Sequence, residues 1–294
     1  MRVTLLGTGT PTPSLKRMSS GYLVRIAGDV MLFDHGPGAY HRMMEAGVKA
    51  TEVTHAVFSH LHYDHCLDYA RLVLTRWDQG ANRVPELKVI GPPGTAHLTD
   101  RLIGEDGAFG PDLRARTEHP LSVMVYAARG GVGPRPRPAP EVRELASGEV
   151  VESDHWRLTC ASVRHVQPFL HCFGYRLETD DGVFVYSGDT GPCKAMERLA
   201  RGADVLVNMC HYLSGTELGP EFAEGTMGHL ELADLGAAAG VRNLVVSHVT
   251  EQMDVPGVRE RILREMSERY AGNLFFGDDL MEIPLAGPAP RKLD

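Results

Sequence analysis

The run Ser59-His60-Leu61-His62-Tyr63-Asp64-His65-Cys66 restricts this chain more than any other stretch. Four side chains able to bind a metal, His60, His62, Asp64 and His65, fall within six residues. Imidazole nitrogen and carboxylate oxygen are the donors of hydrolytic zinc sites. With 14 His and 38 acidic residues in 294, an H-x-H-x-[DE]-H run is expected by chance only about 0.004 times. The preceding Thr54-His55-Ala56-Val57-Phe58 is short, apolar and β-branched, which predicts a buried strand. The following Leu67-Asp68-Tyr69-Ala70-Arg71-Leu72-Val73-Leu74 has the spacing of a helix. The cluster therefore sits on a strand-to-helix loop, where several side chains can converge.

Other apolar runs extend the same reading. Strands are predicted at residues 2–7, Tyr22 to Ile26, Val30 to Phe33, Leu87 to Ile90, Leu158 to Val163, Gly174 to Thr179, Val183 to Tyr186, Val205 to Asn208, Leu244 to Ser247 and Leu280 to Ile283. Helices are predicted from Tyr40 to Ala46, after Gly94 to about Ile103, from Leu230 to Ala239 and from Val258 to Tyr270. Residues 104–122 show no clear pattern. Residues 127–140 form a Gly/Pro-rich insertion loop with three arginines, readable as a substrate lid, a subunit contact or a plain mobile loop. Strands followed by strands early, and by helices later, suggest sheets with helices outside them.

Further His and Asp residues stand where predicted strands run out: His165 after Ser162-Val163-Arg164, Asp189 after Val185-Tyr186-Ser187-Gly188, and His248 after Val245-Val246-Ser247. Ligands gather at such a rim because its loops can meet.

Composition narrows the setting. Hydrophobic residues make up 43% of the chain and charged residues 23%, ordinary values for a soluble globular protein. A single domain over residues 1–294 is expected. The net charge of −8 gives no electrostatic reason to expect nucleic acid or an anionic membrane. No apolar run approaches membrane-spanning length, and the first residues are too short a run for a signal peptide. Five cysteines without C-x-x-C spacing argue against a disulfide framework and for free thiols in a reducing cytoplasm.

Taken together, Leu6-Gly7-Thr8-Gly9, Phe33-Asp34-His35-Gly36-Pro37-Gly38, the H-x-H-x-D-H loop, Tyr186-Ser187-Gly188-Asp189-Thr190 and Gly228-His229 resemble the metallo-β-lactamase superfamily, in its ribonuclease Z and arylsulfatase-like branch. The resemblance covers nearly the whole chain. It implies an α/β fold, the four-layer αβ/βα sandwich, and a site of two zinc ions, with manganese or iron as alternative metals. His60, His62 and His165 would hold one ion, Asp64, His65 and His248 the other, and Asp189 would bridge them. Such a pair can share a hydroxide that is deprotonated near neutral pH. Asp34 would orient a ligand histidine from beneath. Asp64, also a ligand, and His229 are the candidate catalytic residues, His229 donating to the leaving group or the oxyanion. His171 and His211 adjoin ligand strands, and Trp77, Phe169, Tyr212 and Phe222 are candidate pocket walls. His35 has no fixed role.

The function expected is hydrolysis of a small ester-type substrate: a phosphodiester, a sulfate ester, or a carboxylic ester or lactone. Two alternatives remain, a ribonuclease Z-like endonuclease that processes tRNA 3′ ends and an iron-dependent oxidoreductase. The tRNA alternative is disfavoured. Ribonuclease Z enzymes carry an RNA-holding arm before the bridging Asp, but only 23 residues separate His165 and Asp189 here (189 − 165 − 1). His229 is also followed by Leu230-Glu231 rather than Ser-Thr. No membrane partner is expected, and the resemblance allows a homodimer.

Overall fold

In the computed structural model, which describes residues 1–285, the apolar runs emerge as strands. The first half holds β1 (Arg2–Gly7), β2 (Gly21–Ile26), β3 (Asp29–His35), β4 (His55–Val57), β5 (Lys88–Gly91) and β6 (Glu141–Glu144). The second holds β7 (Val150–Glu152), β8 (Trp156–Ser162), β9 (Phe173–Thr179), β10 (Gly182–Tyr186), β11 (Val205–Met209), β12 (Asn243–Ser247), β13 (Asn273–Phe276) and β14 (Glu282–Ile283). They form two seven-stranded sheets, in the orders β14-β1-β2-β3-β4-β5-β6 and β13-β12-β11-β10-β9-β8-β7. Each sheet starts from antiparallel neighbours and ends in three parallel pairings. Parallel neighbours need long crossovers, and helices supply most of them.

The side-chain period of two explains the layers. On β2, Tyr22, Val24 and Ile26 point into a core between the sheets, while Leu23 joins a second core with Tyr40, Met43, Tyr69 and Leu72 under the helices of the first sheet. On β12, Val245 points inward and Leu244 and Val246 outward, against Met196, Leu232 and Ile262 under the helices of the second sheet. Strands buried on both faces read as continuous apolar runs, as these do. The result is the expected helix–sheet–sheet–helix sandwich. Among the described residues no helix is long and apolar enough to cross a membrane, and all five cysteines are free thiols.

Three regions differ from the sequence expectation. The unpatterned stretch folds as two helices, Gly110–Glu118 and Pro120–Ala128. They bury only Gly110 and Leu113 on the first and Tyr126 on the second, too little to leave an apolar stripe in the sequence. Strands β6, β7 and β13 are short and polar or half-exposed, so alternation does not announce them; pairing with β5, β8 and β12 holds them. The arginines of the 127–140 loop are tied down internally. Arg135 is buried, lies 3.8 Å above the Trp77 ring and donates to Asp78 at 2.8 Å. Arg129 pairs with the same carboxylate, and Arg137 donates to the carbonyls of Ile103 and Gly104 at 3.1 and 2.9 Å.

Candidate metal centre

The loops that follow β4, β8, β10 and β12 meet at one rim. After β4 the chain leaves the sheet at Ser59, and one helical turn, Tyr63–Cys66, places Asp64 and His65 beside His60 and His62. That turn packs so tightly on Gly36 that a Cβ there would lie 1.9 Å from the Asp64 carbonyl oxygen. The loops after β8 and β10 bring His165 and Asp189, and the residue after β12 is His248, with a left-handed φ of 52°.

Two groups result. The ligating atoms of His60, His62, His165 and Asp189 lie within 4.8 Å of one another, and so do those of Asp64, His65 and His248. Asp189 stands between them: its Oδ2 is 3.7 Å from His165 Nε2, 3.5 Å from His65 Nε2 and 3.3 Å from His248 Nε2. Asp64 Oδ2 is 3.3 Å from both His65 Nε2 and His248 Nε2. All seven side chains named from the sequence are therefore neighbours.

Whether this arrangement suits metal ions is tested by its unsatisfied atoms. His65 Nε2, His165 Nε2 and Asp189 Oδ1 are buried and have no hydrogen-bond partner. Buried polar atoms left in this way cost about 1–3 kcal/mol each unless something binds them. The opposite ring edges are anchored. His65 Nδ1 donates to Asp34 Oδ2 at 2.7 Å and His165 Nδ1 donates to the Gly225 carbonyl at 2.8 Å. Ser59 Oγ lies 3.0 Å from His60 Nδ1. Anchoring Nδ1–H leaves the Nε2 lone pairs of His65 and His165 aimed at the site, the tautomer a metal ligand needs. The residues fit divalent cations.

Electrostatics agree. Burial pushes the imidazoles of His60 and His62 below their usual range, so they are neutral at pH 7. Burial opposes ionisation of Asp64 and Asp189, but the adjoining His248 and His65 outweigh it and hold both carboxyls low. Burial also opposes charge on His65, yet Asp189 and Asp34 reverse the balance and raise it. Without a cation, a proton on His65 compensates the carboxylates; a bound cation would displace that proton.

Asp34 is the hub beneath. Its Oδ1 accepts from the Ser59 amide at 2.7 Å; its Oδ2 accepts from Ser59 Oγ at 2.6 Å, Tyr186 OH at 2.5 Å and His65 Nδ1 at 2.7 Å. Its φ of 54° is a left-handed value that Asp and Asn adopt more readily than other side chains.

A cavity of about 320 Å³ opens over both groups, lined by His62, Asp64, His165, Asp189 and His248 and also by His211. The sequence left His211 undecided; its ring stands 5.5 Å from that of His248. His229 needs correction. It does not line this cavity, and its ring is fully buried. Its Nδ1 accepts from the Ser214 amide at 3.0 Å and its Nε2 donates to Glu265 at 2.8 Å, so neither nitrogen is free to serve a substrate. Of the proposed aromatic walls only Phe222 lines the cavity. Trp77 packs under Arg135, Tyr212 is buried beside Gly228, and Phe169 is 89% exposed. His171 is exposed and off the cavity. His35 is buried with both nitrogens unpartnered, and burial lowers its imidazole to about 3.

Residues 30–249 match the family described as the β-lactamase superfamily domain. This chain belongs to the metallo-β-lactamase superfamily. Among relatives in it, a ribonuclease Z of Mycobacterium sp. strain KMS is 32% identical over 288 positions, covering 96% of this chain and 95% of that protein. A ribonuclease Z of Mycolicibacterium paratuberculosis is 31% identical over 308 positions, covering 98% and 100%. Among solved structures, the metallo-β-lactamase fold protein YhfI from Bacillus subtilis superposes with a TM-score of 0.71 at 17% identity, covering 96% of this chain and 99% of that one. The short form of human tRNase Z gives 0.69 at 18%, covering 97% and 100%. These likenesses show the fold. Superfamily and site together make the chain a metallo-hydrolase.

The expectation of a small-molecule substrate, with tRNA disfavoured, is overturned by these relatives. Against the Mycobacterium protein the reasoning from a missing arm fails. About 282 residues, 96% of 294, fill the 288 positions compared with the Mycobacterium protein, leaving room for only about six unmatched ones. Within the aligned region that ribonuclease Z has no long insertion either. Net charge was also the wrong quantity, because binding depends on local charge and on the metals, not on the sum over the chain.

Proposed function

We propose that this protein is a metal-dependent endonuclease of the ribonuclease Z type, acting on precursor tRNA at its 3′ end. The observation that carries this is the end-to-end similarity to proteins named ribonuclease Z, joined to two groups of side chains able to hold a metal that meet at one rim. Two zinc ions are the metals proposed, one in each group with Asp189 between them. Divalent cations there would supply Lewis acidity toward a phosphodiester oxygen and lower the pKa of the attacking water.

The chain's own residues do the rest. Asp34 holds His65, and the Gly225 carbonyl holds His165, so that the metal-facing nitrogens are fixed before anything binds. Asp189 and Asp64 supply the negative charge that favours cations over protons in a buried site. The cavity of about 320 Å³ admits a phosphodiester with its immediate neighbours but not a folded RNA, so the scissile linkage must enter as a single strand. An exposed Phe169, four residues past His165, offers a face on which an unpaired base can stack.

The test is cleavage of a precursor tRNA carrying a 3′ trailer by zinc-loaded protein. A single cut that releases the trailer, lost on chelation and restored by zinc, is expected. Intact precursor under conditions where the same protein hydrolyses bis(4-nitrophenyl) phosphate would reject the RNA assignment.

A further inference from the structure

A phosphodiester in this cavity brings negative charge into a wall that has few donors to offer. None of the lining residues is Lys or Arg. Asp64, Asp189 and Glu221 are acceptors; His62, His165 and His248 belong to the two ligand groups; Pro11, Val166, Met209 and Phe222 are apolar. The Thr226 hydroxyl already donates to the Phe222 carbonyl at 2.6 Å. That leaves His211 as the one lining side chain, among the described residues, with an uncommitted N–H.

The geometry of His211 matches such a task. It belongs to neither ligand group, yet its ring lies 5.5 Å from His248 and 5.8 Å from Phe222. Its Nδ1 is buried and has no hydrogen-bond partner. A buried polar atom left unmatched in this way calls for a ligand, since protein interiors seldom tolerate one. The backbone around it is held firmly. The His211 amide donates to the Met227 carbonyl at 2.8 Å, the Ser214 amide to His229 Nδ1 at 3.0 Å, and the Leu230 amide to Ser214 Oγ at 3.0 Å. His229, buried behind this segment, therefore steadies the loop that presents His211.

We infer that His211 is a substrate-binding residue whose ring N–H donates to a non-bridging oxygen of the phosphate seated at the two ligand groups. The inference rests on the phosphodiester reading above, but not on RNA as the particular substrate. A neutral donor to a charged oxygen strengthens binding without any proton transfer, and strengthens it further as charge builds on phosphorus.

Titration of inorganic phosphate into zinc-loaded protein, followed by calorimetry, tests this without turnover. His211→Ala should weaken phosphate binding roughly ten- to a hundredfold, the range for one hydrogen bond to a charged group. Of His211→Asn and His211→Gln, whose amides reach the positions of Nδ1 and Nε2, the one whose amide meets the phosphate should recover most of it. Zinc content should be the same in all three. Unchanged phosphate affinity in His211→Ala, loss of zinc from it, or recovery by neither amide would each overturn the assignment. A wild type that binds phosphate and leaves precursor tRNA uncut rejects the ribonuclease reading alone, and the same titration still decides the role of His211.

Discussion

Asp34→Asn isolates the part of the site that no metal touches. Asn keeps the shape and tolerates the left-handed φ of 54°, so the backbone has no reason to move. Its remaining oxygen can still accept from the Ser59 amide, now 2.7 Å from Oδ1. The NH₂ that replaces Oδ2 faces three donors instead of accepting from them: Ser59 Oγ, Tyr186 OH and His65 Nδ1. The two hydroxyls can rotate to accept, but His65 can do so only by moving its proton to Nε2, the metal-facing nitrogen. Metal binding must then reverse that tautomer against the new hydrogen bond. Loss of such an orienting partner weakens metal binding by about 10- to 100-fold, or roughly 1.4–2.8 kcal/mol. Competition against a chromophoric zinc chelator measures this, with a thermal melt of the metal-free protein to show that the fold is kept. The ¹⁵N shifts of labelled His65 should report the Nε2–H tautomer in the metal-free variant. Zinc affinity within threefold of wild type, in a folded variant, would refute the reasoning.

Three further outcomes follow from the same geometry. Asp189→Ala removes the carboxylate that adjoins His165, His65 and His248, and elemental analysis should find the zinc content falling from two equivalents toward none. Gly36→Ala drives a methyl group to 1.9 Å from the Asp64 carbonyl, and denaturant unfolding should show a loss of about 3 kcal/mol or more, or no folded protein. The Asp254 carboxyl, although burial opposes its charge, is held down to about 2 by Arg17 and Lys16. A folded-state pKa below the ordinary 3.8 means that this pairing stabilises the fold above pH 3.8 and fades as pH falls toward 2. Wild type should exceed Asp254→Asn in stability at pH 6, by at most about 2 kcal/mol after solvent screening, and the two should converge near pH 2.

The meeting of the seven candidate ligand side chains was legible because His60, His165, Asp189 and His248 follow apolar runs that end at one rim and the rest adjoin His60. A strand that stops at Val57 or Ser247 delivers the next few side chains to the same rim whatever the rest of the chain does. The role of Asp34 came only with the family resemblance; by position alone, one residue from the end of β3, it reads equally as a turn residue. His229 misled because Gly228-His229 opens a helix in the right place, while its direction depends on Glu265, 36 residues later, and on Ser214, 15 residues earlier. Local sequence carries no trace of those partners. His211 was left open for the converse reason: it sits two residues beyond the end of β11, where the chain has already turned and alternation no longer says which way a side chain points. The 127–140 loop reads as mobile from its Gly and Pro content, yet Asp78 on a distant helix fixes two of its arginines. Substrate was least legible of all, since overall charge and loop length are averages, and recognition rests on a few atoms around one cavity.

Anomalous diffraction at the zinc edge, on crystals of zinc-loaded protein, bears most directly on the account. It predicts two peaks, one enclosed by His60, His62 and His165 and the other by Asp64, His65 and His248, with the Asp189 carboxylate reaching both. A single peak elsewhere, or two peaks with Asp189 turned away from them, would contradict it.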